Sequence, residues 1–306
     1  MATFAPDPKA IVLITGANRG IGFEIAKHLA TSPSKSYHII LSGRHLSAVE
    51  SAVTTLKSLP NLHPSTTLEA LPLDLGSDTS LSSAASHISS KHGHLDILVH
   101  NAAISHSSLS THTADPHAPE RARENWHTIF DTNLIGPALL TDELLPLLSA
   151  SPLPERKIIF VSSGLGSITH SFREAEAGRL DLTGIAGKFT EYSSSKAALN
   201  LYARHLALRL QHSEEQEAEK DDAAEKRGEG EMEGGSAMGD GKGEGGKGKS
   251  GKWKVNVVCP GYTKTNLNNY RGTQEPREAA EVVVKVVEEE GGETGRFRDR
   301  RGEVSW

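Results

Sequence analysis

Thr15-Gly-Ala-Asn-Arg-Gly-Ile-Gly22 is the stretch that decides the fold. Before it, Ile11-Val-Leu-Ile14 is a short apolar run rich in β-branched residues, as expected of a strand buried on both faces. After it, Phe23-Glu-Ile-Ala-Lys-His-Leu-Ala30 has helical periodicity. The order is strand, glycine turn, helix. Glycines at 16, 20 and 22 permit positive φ and let the backbone lie against a ligand. The helix N-terminus then offers free N–H groups and a partial positive charge, which suits a pyrophosphate. A plain tight turn between strand and helix would use the same glycines. The placement after a strand and before a helix is what favours the dinucleotide reading.

Tyr37-His-Ile-Ile-Leu41 is the next apolar run, ending at Ser42-Gly43-Arg44. In dinucleotide folds an acidic residue about 20 residues past the glycines binds the ribose 2′-hydroxyl, whereas an Arg there suits a 2′-phosphate. Here Gly43 takes the acidic position, Arg44 follows it, and Arg19 sits in the glycine loop. Two guanidiniums and no carboxylate favour NADP(H) over NAD(H) by charge, although either Arg would also sit comfortably in water. The pattern continues with a helix over 47–59, a strand over 68–73, a helix over 80–92 and a strand over 96–99. Asp74 lies just past the third strand, in reach of an adenine amino group; a helix cap near Asp78 is the plainer reading of this acidic turn. Strands alternating with helices predict an α/β fold, a doubly wound parallel sheet in three layers (a Rossmann fold), with ligands at the strand C-termini.

One long helix is predicted over 120–148 and carries Asn133. Asn is unfavourable to neutral in a helix interior. Buried, its amide needs partners, which is compatible with holding a water near a site; an exposed or core-satisfied Asn is the alternative. Lys157-Ile-Ile-Phe-Val161 reads as a fifth strand ending in Ser162-Ser163-Gly164. A hydroxyl there suits a substrate carbonyl, and a simple turn suits the residues as well. Residues 165–190 read as irregular, with His170, Phe172 and Phe189 as candidates for a pocket wall. Tyr192-Ser-Ser-Ser-Lys196 opens a helix predicted to run to about Gln211, and positions four apart share its face. A free phenol has a pKa of about 10, and a nearby fixed positive charge lowers it. A phenol so tuned gives a proton to a carbonyl oxygen or takes one from an alcohol. A lone pair at this spacing is more often a solvated helix face, so the surrounding motifs carry the reading. Trp253-Lys-Val-Asn-Val-Val258 is a sixth strand leading to Cys259-Pro-Gly-Tyr-Thr263, where Thr263 and its neighbours suit a nicotinamide amide. A Val-rich helix over 278–290 and one last short strand complete the pattern.

The 306 residues are 36% hydrophobic, enough for one sizeable core, and α/β domains reach about 250 residues as one unit. A net charge of −6 argues against nucleic acid. A lone cysteine, Cys259, makes no internal disulfide and points to a reducing compartment. The chain opens without a leader-like apolar stretch and has no run near the roughly 20 residues of a membrane span, so a cytoplasmic protein without a membrane partner is expected. Residues 213–252 hold 12 acidic and 7 basic residues with much Gly, nearly the whole net charge. Such a segment buries too little to order itself and reads as a disordered insertion in a single domain spanning 1–306. Histidines 87, 92, 94, 100, 106, 112, 117 and 127 fall on several elements without an HExxH or Cys/His spacing, so no metal site is expected.

Taken together, these motifs resemble the short-chain dehydrogenase/reductase family, in its TGxxxGIG and YxxxK branch. The resemblance covers most of the chain outside the insertion and rests on Thr15 to Gly22, Asp74, Asn101-Ala-Ala103, Asn133, Ser162-Ser163, Tyr192 with Lys196, and Pro260-Gly261 in that order. The long stretch between Ser163 and Tyr192, with the Arg pair, is similar to the carbonyl-reductase-like members. The resemblance implies an NADP(H)-dependent oxidoreductase that interconverts a carbonyl and a secondary alcohol on a small molecule. It implies Tyr192 as proton donor or acceptor, with Lys196 on the nicotinamide ribose and lowering the Tyr192 pKa. Ser163 would orient the carbonyl, and Asn133 would hold a water in a relay to Lys196. Gly16, Arg19, Ile21, Gly22, Arg44, Asp74, Asn101 and Thr263 would line the cofactor with Tyr192 and Lys196. One departure is His100-Asn-Ala-Ala103 where the family has Asn-Asn-Ala-Gly; the 213–252 insertion is the other. A cofactor-binding scaffold whose acidic segment engages a partner is the rival reading.

Overall fold

The structure, a computed structural model, describes residues 9–105, 118–178, 189–232 and 251–306. Its strands are β1 (Ala10–Ile14), β2 (Tyr37–Gly43), β3 (Thr67–Pro72), β4 (Ile97–His100), β5 (Glu155–Val161), β6 (Lys252–Val258), β7 (Phe297–Asp299) and β8 (Gly302–Glu303). They form a single sheet in the order β3-β2-β1-β4-β5-β6-β7-β8. Every pairing is parallel except that of β7 with β8. The helices are α1 (Gly20–Ala30), α2 (Leu46–Lys57), α3 (Asp78–His92), α4 (Ala118–Phe130), α5 (Gly136–Ser149), α6 (Ile168–Glu176), α7 (Thr190–Met232) and α8 (Pro276–Glu288).

Side chains alternate across a strand, so a strand covered on both faces must be apolar at every position. In β1, Leu13 joins a core with Ile40, Leu98, Phe160, Leu144 of α5 and Leu206 of α7. Val12 and Ile14 join the opposite core with Ile25 and Leu29 of α1, Val99, and Val283 of α8. These are the three layers expected of the sequence. The strand order reverses at β1, which lies between β2 and β4. In open α/β sheets the crevice beyond the strand C-termini at such a point takes the ligand.

Four local readings need correction. The helix expected over 120–148 is two helices joined by a π-turn, Asp131–Ile135. The chain there crosses the β3–α3 connection so closely that a Cβ on Gly136 would lie 2.3 Å from the Leu75 carbonyl oxygen. The 165–190 stretch is not irregular throughout: Gly164–Gly166 is a 3₁₀ turn and α6 follows, with the Ser167 hydroxyl accepting from the His170 N–H at its start. Residues 179–188 lie outside those described.

The third correction concerns the end of α7. Instead of ending near Gln211, α7 runs on to Met232, and the part of the segment over 233–250 lies outside the described residues. The continuation is rich in Glu, Gln, Ala and Lys, all good helix formers. It extends an existing helix and so avoids the nucleation penalty an isolated helix meets. Its first turn is also tied to the sheet. Glu214 accepts from the Trp253 N–H and lies 3.8 Å from Arg156, whose guanidinium covers the Trp253 ring at 4.4 Å. The single terminal strand is likewise a hairpin, its turn closed by Arg301 and Gly302 N–H groups donating to Asp299 Oδ1 at 2.7 and 3.1 Å.

Candidate active site

Two adjoining cavities open beyond the strand C-termini. The smaller, about 460 Å³, is lined by Gly16, Arg19, Ile21, Arg44, Asp74 and Asn101, together with Lys264 and Tyr270 from the far side. Thr15 builds its floor. Its hydroxyl, buried at the end of β1, accepts from the N–H groups of Asn101 and Ala102 at 2.9 and 3.0 Å. Asn101 answers by donating its amide to the carbonyls of Thr15 and Gly16 at 2.9 and 3.2 Å. The β4 end and the glycine turn are thereby one unit. Gly16 has φ +63°, and a Cβ there would meet the Ala102 backbone at 2.9 Å. Gly22 faces Asn101 Nδ2, which a Cβ would approach to 2.4 Å. Asn101 therefore acts on the loop, and its amide is already committed. Arg19 and Arg44 are exposed and make no ion pair among the described residues, while Lys264 is paired with Glu275 at 2.7 Å.

The larger cavity, about 870 Å³, shares Ile21, Asn101 and Thr265 with the first and is walled by Ser163, Tyr192 and Lys196. Lys196 is among the most buried side chains; its Nζ donates to the Val161 carbonyl at 3.0 Å and lies 5.8 Å from the Tyr192 ring centroid. Phenol and ammonium do share one face and one cavity. Burial alone brings the Lys196 ammonium down to about 8. The Tyr192 phenol moves opposite to the sequence expectation: burial, and next the nearby Cys259, raise its pKa, and the Ser163 hydroxyl bond only partly offsets them. Lys196, which donates to the Val161 carbonyl and sits 5.8 Å from the ring centroid, does not offset the burial. Of the serine pair, Ser162 donates to Asn200 Oδ1 at 2.6 Å and anchors α7, leaving Ser163 for the cavity. A Cβ on Gly166 would come within 2.7 Å of the Lys196 backbone, so the turn after Ser163 packs directly on the turn bearing Lys196.

Asn133 sits in the π-turn and is fully buried. Turns of this kind recur at functional sites because they redirect side chains. Its Oδ1 accepts from the Ile104 N–H at 2.9 Å, and its Nδ2 donates to the Ile104 carbonyl at 2.8 Å and to Ser195 Oγ at 3.0 Å. Ser195 in turn donates to the Tyr192 carbonyl at 2.7 Å. Both amide protons that the sequence reading allowed for water are taken by protein, and Asn133 ties the β4 loop to the first turn of α7. Thr263, buried, accepts from Gln274 Nε2 at 3.0 Å and lines the larger cavity.

His100, the departure from the family pattern, stacks on Phe160 at 4.7 Å and contacts Thr141 Oγ1 through Nε2 at 2.8 Å. Thr141 gives its only proton to the Pro137 carbonyl, so Nε2 carries the His100 hydrogen. Burial, and next the charge on Lys196, lower the His100 pKa from 6.5 to about 3. A neutral buried imidazole that titrates near 6.5 when unfolded contributes stability fully present above that value and lost as pH falls toward 3. This amounts to a few kcal/mol, at about 1.4 kcal/mol for each tenfold change in proton affinity. His100→Asn, which does not titrate, is expected to flatten that acid limb in denaturant midpoints measured between pH 7 and pH 4. An unchanged slope would remove His100 as its source.

Sequence reasoning placed His170 and Phe189 correctly on the wall but not Phe172, which is 60% exposed and outside the lining. It missed Cys259, whose sulfur accepts from the Gly164 N–H at 3.1 Å, and Tyr262, Leu267, Arg300, Arg301 and Val304. No local signal marked the last three, which reach the cavity only because the β7–β8 hairpin folds over it.

Comparison with known proteins gives concordant findings. A family model described as short chain dehydrogenase matches residues 10–175. The chain is 30% identical over 281 residues to short-chain dehydrogenase anuI of Penicillium roqueforti, covering 92% of this chain and 89% of that protein. It is 30% identical to (−)-isopiperitenone reductase of Mentha piperita, over 94% of this chain and 95% of that one. Among solved structures it is similar to the NADPH-bound carbonyl reductase from chicken fatty liver, with TM-score 0.67, 20% identity, and coverage of 97% and 94%.

Proposed function

The chain belongs to the short-chain dehydrogenase family, an oxidoreductase family with reductases among this chain's relatives, and from that premise we propose an NADP(H)-dependent enzyme interconverting a carbonyl and a secondary alcohol. The observation that carries the reading is the joint exposure of Ser163, Tyr192 and Lys196 to one cavity continuous with the glycine loop. The rival scaffold reading has no counterpart to this set.

The residues present fit such a cofactor. The backbone of Gly16 and the start of α1 suit a pyrophosphate, and a Cβ at Gly16 or Gly22 would close the turn. Arg19 and Arg44, free of ion pairs among the described residues, suit the 2′-phosphate, and Asp74 the adenine edge. When bound, the cofactor supplies or accepts the hydride. The protein's part is the proton. In reduction, the Ser163 and Tyr192 hydroxyls donate to the carbonyl oxygen, and Tyr192 releases its proton to that oxygen as the carbon gains hydride. Lys196, an ammonium below about pH 8 on the same face of the helix, then stabilises the phenolate by its charge.

The substrate class follows from the wall. Leu165, Phe189, Leu267 and Val304 make a mostly apolar chamber large enough for a bulky ketone. The experiment is oxidation of NADPH against a panel of ketones, quinones and aldehydes, with turnover by at least one bulky apolar carbonyl expected. No turnover across the panel would favour the scaffold reading. For the cofactor, Arg44→Ala is expected to weaken NADPH binding by about tenfold or more, since a charge-assisted bond contributes about 1.5–3 kcal/mol, and to leave NADH nearly unchanged. Equal affinity of the parent protein for both cofactors would refute the 2′-phosphate assignment.

A further inference from the structure

At the sheet edge remote from the cleft, three elements bring imidazoles onto one carboxylate. Thr67 and Glu69 lie two apart on edge strand β3 and so share a face. His38 is the register partner of Thr67 on β2. Helix α3 covers the same edge and delivers His87, Lys91 and His92 from its last turns. The two oxygens of Glu69 are divided between them. Oε2 lies 2.9 Å from His38 Nε2 and 3.1 Å from His92 Nε2, whereas Oε1 is held by His87 Nε2 at 2.6 Å and Lys91 Nζ at 2.8 Å. Glu69 is 9% exposed, and His92 and His38 are nearly as sheltered.

We propose that His38 Nε2, His92 Nε2 and Glu69 Oε2 form a site for a zinc-class divalent cation, with a water as the fourth ligand. The three donor atoms lie within 4.8 Å of one another. A tetrahedral ion with bonds of about 2.0–2.1 Å spaces its ligand atoms about 3.4 Å apart, so small side-chain adjustments suffice. Two imidazoles and a carboxylate are a donor set zinc accepts. Outer partners for two of the three ligands are also in place. Ligating histidines give their other ring N–H to an oxygen, and ligating carboxylates are hydrogen-bonded in turn. His38 Nδ1 lies 2.7 Å from Thr67 Oγ1, and the second oxygen of Glu69 is already held by His87 and Lys91. Lys91, half exposed, keeps its place on Oε1 and need not leave. The site would pin the edge strand to α3. His38 and Glu69 come from neighbouring strands and His92 from a helix, which is why a search for ligand spacing along the chain passes over the set.

The test uses the full-length protein freed of metal and titrated with Co²⁺, read by the visible d–d absorption of a four-coordinate site and then displaced with Zn²⁺. One equivalent of Co²⁺ is expected to saturate the bands and one equivalent of Zn²⁺ to abolish them. His38→Asn and His92→Gln are each expected to weaken Co²⁺ binding by at least about tenfold, and Thr67→Val by about tenfold through the lost outer partner. His127→Gln, far from the set, should leave it unchanged. Absence of the bands in the parent, or parental affinity in the two ligand variants, overturns the proposal. Should either variant fail to fold by circular dichroism, hydrogen exchange of the parent with and without Zn²⁺ decides. Protection confined to β2, β3 and the end of α3 supports the site, and protection elsewhere or none overturns it.

Discussion

Tyr192→Phe is expected to lower turnover by about 10²–10⁴-fold, the range for loss of a general acid, while NADPH binding stays within a few-fold of the parent. The ring remains to cover the Lys196 ammonium, and only the hydroxyl that Ser163 contacts is removed. A binding loss would appear in KM or Kd, whereas loss of the proton donor appears equally in kcat and kcat/KM. Steady-state kinetics with the best carbonyl of the panel, beside a fluorescence titration of NADPH, separates the two. A variant with parental kcat would end the assignment of Tyr192 as the acid.

Lys196→Met should abolish turnover to a comparable degree and at the same time stabilise the protein at pH 7. Burial takes the ammonium from 10.5 to about 8. Between those values the unfolded chain binds more protons than the folded one, so stability rises with pH through that window and the full penalty is present below pH 8. A change of this size corresponds to about 3 kcal/mol. The lost bond to the Val161 carbonyl returns about 1 kcal/mol, leaving an expected gain of about 1–3 kcal/mol. Conflict between stability and a destabilised functional group is a common feature of active sites. Denaturant midpoints at pH 7 and pH 10 would show the parent gaining stability and the variant gaining none in that interval. If the variant is no more stable at pH 7, the buried ammonium carries no penalty and the lowered pKa is wrong.

Much of the fold was legible along the chain because its signals are local. The strands β1, β4, β5 and β6 are short β-branched runs with burial on both faces, and such runs have few alternatives. The glycine turn was legible because positive φ and close approach leave little else for Gly16. The π-turn was not, since Asn133 is held by Ile104 and Ser195, groups distant in the chain. Nor was the reach of α7 past Gln211. Helix propensity carries α7 on, and the Glu214 contact with Trp253, a residue distant in the chain, anchors the turn just past Gln211. Phe172 failed as a wall residue because only the face of α6 that docks on the site, carrying His170, reaches the cavity.

The amino-acid order by itself determined the alternation of strand and helix, the doubly wound sheet, and which residues stand at its C-terminal edge. Periodicity and glycine placement act over a few residues and need no knowledge of the rest. Protonation was decided by the tertiary structure alone. Tyr192 is raised, Lys196 brought to about 8 and His100 to about 3 chiefly by the burial that other elements impose, with Cys259 adding to the first and Lys196 to the last. Desolvation is a property of the surrounding volume, and that volume is assembled from β5, α5, α7 and the C-terminal hairpin, which meet only once the chain has folded.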